Sequence, residues 1–149
     1  MKQRFFLYVL MALVTSSLCA KEMKVQVREF PQKELKKQNI QIATMAAQAM
    51  SKNLPQKIDQ YTTLRSVKND NSTLIYTFVI SSNTKSDKEI IREDHSRMQK
   101  AITKGVCQSS QRFLKAGINT SYIYVSKKTG TPLFRFDITQ AKCTNLTKK

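Results

Sequence analysis

The sequence predicts an α+β domain with the element order helix, strand, strand, helix, strand, strand. The expected sheet is antiparallel, of about four strands, with two main helices packed on one face and one disulfide. Three observations carry this expectation. Apolar residues recur at helical spacing in Gln32–Lys52 and in Asp87–Lys104. Alternating runs at Thr73–Ser81, Ile118–Ser126 and Thr131–Gln140 have strand period and are separated by turn residues. Two cysteines, Cys107 and Cys143, bracket the last third of the chain.

Residues Lys21–Phe30 alternate through Met23, Val25 and Val27, as an edge strand or a loose arm would. Pro31 then opens a segment rich in strong helix formers, with Leu35, Ile42, Ala46 and Ala49 on one stripe. Asn53 and Pro55 stop it. Leu54–Ile58 reads as extended, and Asp59–Lys68 begins a strand with Tyr61, Leu64 and Val67. The group Lys68–Ser72 has turn chemistry. In the next strand Leu74, Tyr76, Phe78 and Ile80 share one face and Ile75, Thr77 and Val79 the other, so both faces are apolar and the strand is central.

Asp87 is placed as the N-cap of the second helix, whose expected buried stripe is Ile91, Met98, Ala101 and Ile102. Gly105 loosens its end, a short helix covers Ser109–Lys115, and Gly117 stops that one. In the final hairpin, turning at Lys127–Gly130, Ile123 and Val125 share a side, as do Phe134, Phe136 and Ile138. Tyr122 and Tyr124 face the other side.

The N-terminus sets the compartment. Lys2 and Arg4 form a basic region, Phe5–Val14 an apolar core, and Thr15–Ala20 a small-residue approach to a cut after Ala20. The apolar run is shorter than the roughly 20 residues of a membrane span. Residues 1–20 are therefore expected to be a cleaved secretory signal, and 21–149 one periplasmic domain. Cys19 leaves with the signal, so Cys107 and Cys143 remain as a disulfide candidate; in a cytosolic chain the same pair would be free thiols. The alternative is lipidation of Cys19, which would tie the chain to the outer membrane, although Leu18 fits poorly before a lipidated cysteine.

The chain of 149 residues carries 26 lysines and arginines against 10 acids, net +16. Loss of Lys2 and Arg4 with the signal leaves +14. This balance favours anionic partners, although charge by itself serves solubility and steering rather than fold. Three glycines and three prolines exclude collagen-like or low-complexity architecture.

Catalytic patterns are missing from the sequence. His95 is the single histidine, and no nucleophile elbow surrounds any of the three glycines. Two cysteines 36 positions apart with one distant histidine do not give zinc spacing, and no glycine loop cradles phosphate. The expectation is a non-enzymatic protein with neither metal nor cofactor. Lys127, Lys128, Arg135, Lys142, Lys148 and Lys149 near Tyr122, Tyr124 and Phe134 have the residue types of single-strand nucleic-acid binding. They are spread over several elements, which disfavours nucleic acid as a partner. Asn71-Ser72-Thr73, Asn119-Thr120-Ser121 and Asn145-Leu146-Thr147 match the glycosylation pattern, which matters only in a eukaryotic secretory route.

Lys52-Asn53-Leu54-Pro55, Tyr61-Thr62 before a strand pair, a long helix ending near Cys107, Ala116-Gly117-Ile118-Asn119-Thr120-Ser121-Tyr122, and a hairpin through Gly130 to Cys143 occur in that order. Over Gln48–Cys143 the chain resembles the α/β class of type II secretion pilotins. Members of that class are small periplasmic lipoproteins that bind a C-terminal segment of the secretin subunit and escort it to the outer membrane. The resemblance implies a Cys107–Cys143 disulfide and turn roles for Gly117 and Gly130. It implies a periplasmic protein or peptide as partner, with a secretin C-terminal segment as one candidate. Escort depends on a lipid anchor, which the context of Cys19 puts in doubt.

A groove beside the first helix, or an open sheet edge, would receive a partner helix or strand. Met45 and Met50 are the candidate contacts, with Lys33, Lys36 and Lys37 at the rim. Methionines on a helix are more often gap-filling core or interface residues than a dedicated site. Two other classes stay open: an inhibitor or immunity protein presenting Lys127–Gly130 to an acidic cleft, and a basic binder of DNA or envelope polyanions.

Overall fold

Helix α1 (Gln32–Ser51) is followed by β1 (Gln56–Lys57), β2 (Thr62–Asp70) and β3 (Thr73–Ile80). Helix α2 (Asp87–Ser109), the short α3 (Gln111–Lys115), β4 (Asn119–Ser126), β5 (Pro132–Ile138) and α4 (Gln140–Leu146) complete the order. The computed structural model describes residues 31–146, so the signal and the strand-or-arm reading of Lys21–Phe30 lie outside the described residues.

The architecture is α+β as expected, but the sheet has five strands in the order β1-β2-β3-β4-β5 and is mixed. Strand β3 runs parallel to β4, and every other pair is antiparallel. The physical reason is the connection: a long helix between β3 and β4 carries the chain back to the starting end of the sheet, and such a crossover delivers a parallel neighbour. The extended reading of Leu54–Ile58 contains β1, which pairs Gln56 with Leu64 and Lys57 with Thr63.

The helix ends also differ from expectation. The cap of α2 is Ser86, which forms a reciprocal capping box with Glu89, and Asp87 is the first helical residue. The helix continues through Gly105 to Ser109, since a single glycine inside a helix costs only about 1 kcal/mol and does not break it. Strand β5 stops at Ile138 instead of Gln140, and Gln140–Leu146 turns into α4. That helix brings Cys143 to Cys107, closing the disulfide with a Cα separation of 5.4 Å.

The register places Leu64 and Val67 of β2, Leu74, Tyr76 and Phe78 of β3, and Tyr122 and Tyr124 of β4 on one inner face. Phe134, Phe136 and Ile138 of β5 join them there. The tyrosines therefore oppose Ile123 and Val125, as the strand period requires. All the helices lie on this inner face, α1 over β2 and β3 and α2 over β5.

Buried Ala43 and Ala47 pack α1 against Val67, Leu74 and Ile118. Small residues let helix and sheet approach closely, and this moves the buried stripe away from the expected one. Ile42 keeps 43% of its surface exposed, while Asn39, Ala43 and Ala47 are buried. In α2 the buried apolar residues are Ile90 and Val106; Met98 and Ile102 are half-buried as expected, whereas Ile91 and Ala101 are exposed.

Candidate functional site

The two long helices pack on different strands of the sheet, α1 on β2 and β3 and α2 on β5. The orientation of α1 is fixed at both flanks. Thr44 Oγ1 accepts from Asn69 Nδ2 at 3.1 Å, and Ser51 Oγ donates to the Val67 carbonyl at 2.9 Å, so that flank faces β2. At the other end the buried Asn39 donates to the Ala116 carbonyl, docking α1 on the turn before β4. The helical period then directs Ile42, Ala46 and Ala49 toward the strip between α1 and α2.

The floor of that strip is aromatic. Tyr76 and Tyr122 stack at 4.9 Å between ring centroids, and Phe78 stacks on Tyr122 at 5.8 Å and on Tyr124 at 4.8 Å. Tyr76 and Tyr122 are half-buried and touch the apolar clusters beneath α1 and α2 respectively. Burial raises the Tyr76 phenol above its ordinary value and raises Tyr122 further, with the neighbouring phenols adding to it. Burial also pushes Tyr124 up to about 12. The floor is thus neutral at any physiological pH and offers ring faces rather than charge.

An open cleft of about 630 Å³ lies between the β1–β2 turn and the first half of α2. Ile80, Ile90 and Met98 line its base, and Tyr61, 57% exposed, stands at its lip. Asp59 holds the lip in shape. Its carboxylate accepts from the Tyr61 and Thr62 backbone N–H groups at 2.8 Å each, and the Tyr61 bond foremost lowers its pKa. Across the cleft Asp94 pairs with Arg97 at 2.7 Å and lies 3.8 Å from Lys85, which pairs with Glu93 at 2.8 Å. The arrangement is an apolar trough with a charged, already paired rim. It can bury one face of an amphipathic segment, as ligand grooves do.

The candidate contacts are separated by the helix. Met50 lies on the sheet side, half-buried, with its sulfur 3.6 Å from the Tyr76 hydroxyl. Met45 is 66% exposed, about 140° from Met50 around the helix. Lys33, Lys36 and Lys37 are all exposed, and Lys37 pairs with Glu34 at 3.0 Å. Tyr76, Tyr122 and Met98 carry no signal in the sequence that marks them as groove residues. The alternation around Tyr122 did place it opposite Ile123, but only the parallel β3–β4 pairing sets it beside Tyr76. His95 packs its ring near Phe134 and Phe136, at 5.8 and 5.4 Å, on an exposed turn of α2. Among the described residues no group of three or more His, Cys, Asp or Glu side chains could hold a metal, and no helix is long and apolar enough to cross a membrane.

A five-stranded mixed sheet with its helices on one face and a disulfide joining α2 to α4 is a pilotin-like fold. The chain belongs to the family of the domain of unknown function DUF8479, whose model matches residues 36–134. The structure is similar to a candidate secreted protein of Pseudomonas aeruginosa, with a TM-score of 0.65 and 14% identity over 73% of this chain and 96% of that one. It is also similar to the pilotin EpsS of the Vibrio vulnificus type 2 secretion system, with a TM-score of 0.60 and 14% identity over 74% and 96% of the two chains. The type II secretion system pilotin AspS of Vibrio cholerae gives a TM-score of 0.57 and 17% identity over 75% and 98%. No curated protein matches the sequence.

Proposed function

We propose that this chain is a non-enzymatic, exported protein-binding module that receives an amphipathic segment of a secretion-system subunit in the groove between α1 and α2. The observation that carries the reading is the aromatic floor. Tyr76 and Tyr122 stack on one another and are only half-buried, on a fold shared with two pilotins. In this reading the apolar face of the segment lies on Tyr76, Tyr122, Met50 and Met98, and Ile42 and Met45 close over its side. Lys33, Lys36 and Lys37 stand at the rim of α1 and steer an acidic segment, such as the C-terminal part of a secretin, toward it. Periplasmic location follows from the signal read at residues 1–20, and outer-membrane attachment would require a lipid on Cys19.

The test is titration of the oxidised protein with a synthetic C-terminal secretin segment from the same genome, followed by calorimetry. Saturable one-to-one binding that weakens with salt is expected. Tyr122→Ala and Met50→Asp should each weaken it at least roughly ten-fold, the size of effect seen at interface anchors. Binding that survives both substitutions would place the partner elsewhere, and no binding to any secretin segment would remove the escort reading.

A further inference from the structure

Two tyrosines of the inner sheet face carry hydroxyls that the chain itself leaves unpaired. Tyr76 and Tyr122 are paired positions on the parallel strands β3 and β4, and their rings stack within 16° of parallel. Phe78 and Tyr124 repeat the arrangement two residues on, within 13°. Side chains stand roughly perpendicular to a sheet, so rings stacked across neighbouring strands hold their far ends away from it. The Tyr76 hydroxyl shows the direction, reaching the Met50 sulfur of α1 at 3.6 Å. Tyr122, nearly parallel to Tyr76, points its hydroxyl the same way. Burial first, then the phenols of Tyr76 and Tyr124, raise the Tyr122 pKa, which sets the three hydroxyls close together.

Among the described residues the buried side-chain oxygens without a hydrogen bond are Thr120 Oγ1 and Gln140 Oε1. The hydroxyls of Tyr122 and Tyr124 also have no partner in the chain, so they stand open to water, although Tyr124 as a whole is only 6% exposed. A segment lying over them displaces that water. Unless it returns a hydrogen bond to each, the covered hydroxyl is a penalty rather than a gain.

We propose, resting on the groove reading above, that the segment received there carries side-chain carboxamides, Asn or Gln, within its apolar face, and that the Tyr122 and Tyr124 hydroxyls select for them. A helical segment has already paired its backbone carbonyls, so the acceptors come from side chains. Positions two apart on a strand lie about 6.8 Å from one another, and positions four apart on a helix rise about 6 Å along one face. Amides at i and i+4 therefore meet both phenols when the segment lies along β4. A carboxylate fits less well, because the Asp59 charge is close enough to Tyr124 to add to the rise in pKa that burial causes there, and it repels a second anion. The neutral carboxamide offers a carbonyl oxygen to the phenol without that repulsion. A wholly apolar helix face is rejected, which distinguishes the proper segment from any exposed core helix.

Tyr122→Phe and Tyr124→Phe remove the hydroxyls and keep the rings. Calorimetric titration of these oxidised variants with the C-terminal secretin segment tests the selection. Each is expected to weaken binding roughly 5- to 50-fold, with the unfolding midpoint at neutral pH unchanged, since neither hydroxyl has an internal partner. Changing the Asn and Gln residues of the segment's apolar face to Leu should cost the wild type a similar factor and the Phe variants little, whereas changing them to Asp should weaken binding to all three proteins. The selection is overturned by a segment that binds without an amide on its apolar face, by Phe variants that bind it as tightly as the wild type, or by a fall in their midpoints. In each of those cases a Tyr122→Ala protein that releases the segment leaves the groove reading standing. A segment that fails to bind the wild type, or that ignores Tyr122→Ala, removes the groove reading and this inference with it.

Discussion

Removing the disulfide by the double substitution Cys107→Ala, Cys143→Ala tests what holds the C-terminal half together. The bond spans a sequence separation of 36 and joins the last turns of α2 to α4. In the chain-entropy relation a closed loop of that length withholds about 3.8 kcal/mol of freedom from the unfolded chain at 25 °C. Packing changes add little, because Cys143 contributes only its small side chain to the cluster of Val106, Leu114 and Ile138. For a domain of this size the loss corresponds to a fall in melting temperature of roughly 10–20 °C. The assay is guanidinium unfolding of the wild type and the double variant, followed by circular dichroism, with the slope compared as well as the midpoint. A steeper slope in the variant, whose freed unfolded chain exposes more surface, and a stability difference near the stated value support the tether account. A difference below about 1 kcal/mol would refute it, because the unfolded chain would then be no freer without the bond.

Three further outcomes follow from named contacts. Ile138→Ala empties a fully buried site between β5 and the helices, and should cost about 2–5 kcal/mol in denaturant unfolding. Gly117→Ala forces a side chain onto a backbone with φ +87 and brings a Cβ to 3.4 Å from Asn39 Nδ2, so a loss of about 1–2 kcal/mol is expected, read from the midpoint shift. The groove phenols predict an alkaline limit. Their folded pKa values lie above the unfolded value near 10, Tyr124 at about 12, so their contribution is complete below pH 10 and disappears as pH rises toward 12. Unfolding midpoints measured across that window should fall, and Tyr124→Phe should flatten the fall; a midpoint indifferent to pH there would count against burial of these hydroxyls.

The legible part of the fold is the part written in local period. The alternation of β3, the hairpin at Lys127–Gly130 and the helical stripe around Met98 and Ile102 need no distant partner to be read. What escaped the reading depended on where distant segments meet. Nothing local distinguishes a helix that links two hairpins from one that makes β4 parallel to β3. The same holds for α1, where period alone favoured the large residues Leu35 and Ile42, while packing on the sheet selected Ala43 and Ala47 because they allow close approach. The groove inherits that difference. Met50 was visible as a candidate, but Tyr76 and Tyr122 become one surface only through the parallel pairing.

The division between folding and binding surfaces bears on how fast a partner could associate. The clusters around Ala43, Phe78 and Val106 are buried in the single chain, and Tyr76 and Tyr122, which pack against them, are already stacked on one another. A segment entering the groove therefore meets a preformed floor, and little ordering of this chain opposes binding. The partner's own folding into a helix is then the main entropic cost. Under that condition the net charge of +14 that remains once residues 1–20 are removed acts mainly on the encounter: an acidic segment should associate faster at low salt, with the dissociation rate nearly constant. Stopped-flow association over a salt series separates the two, and a dissociation rate that carries most of the salt dependence would mean that rim charges, rather than the aromatic floor, hold the segment in place.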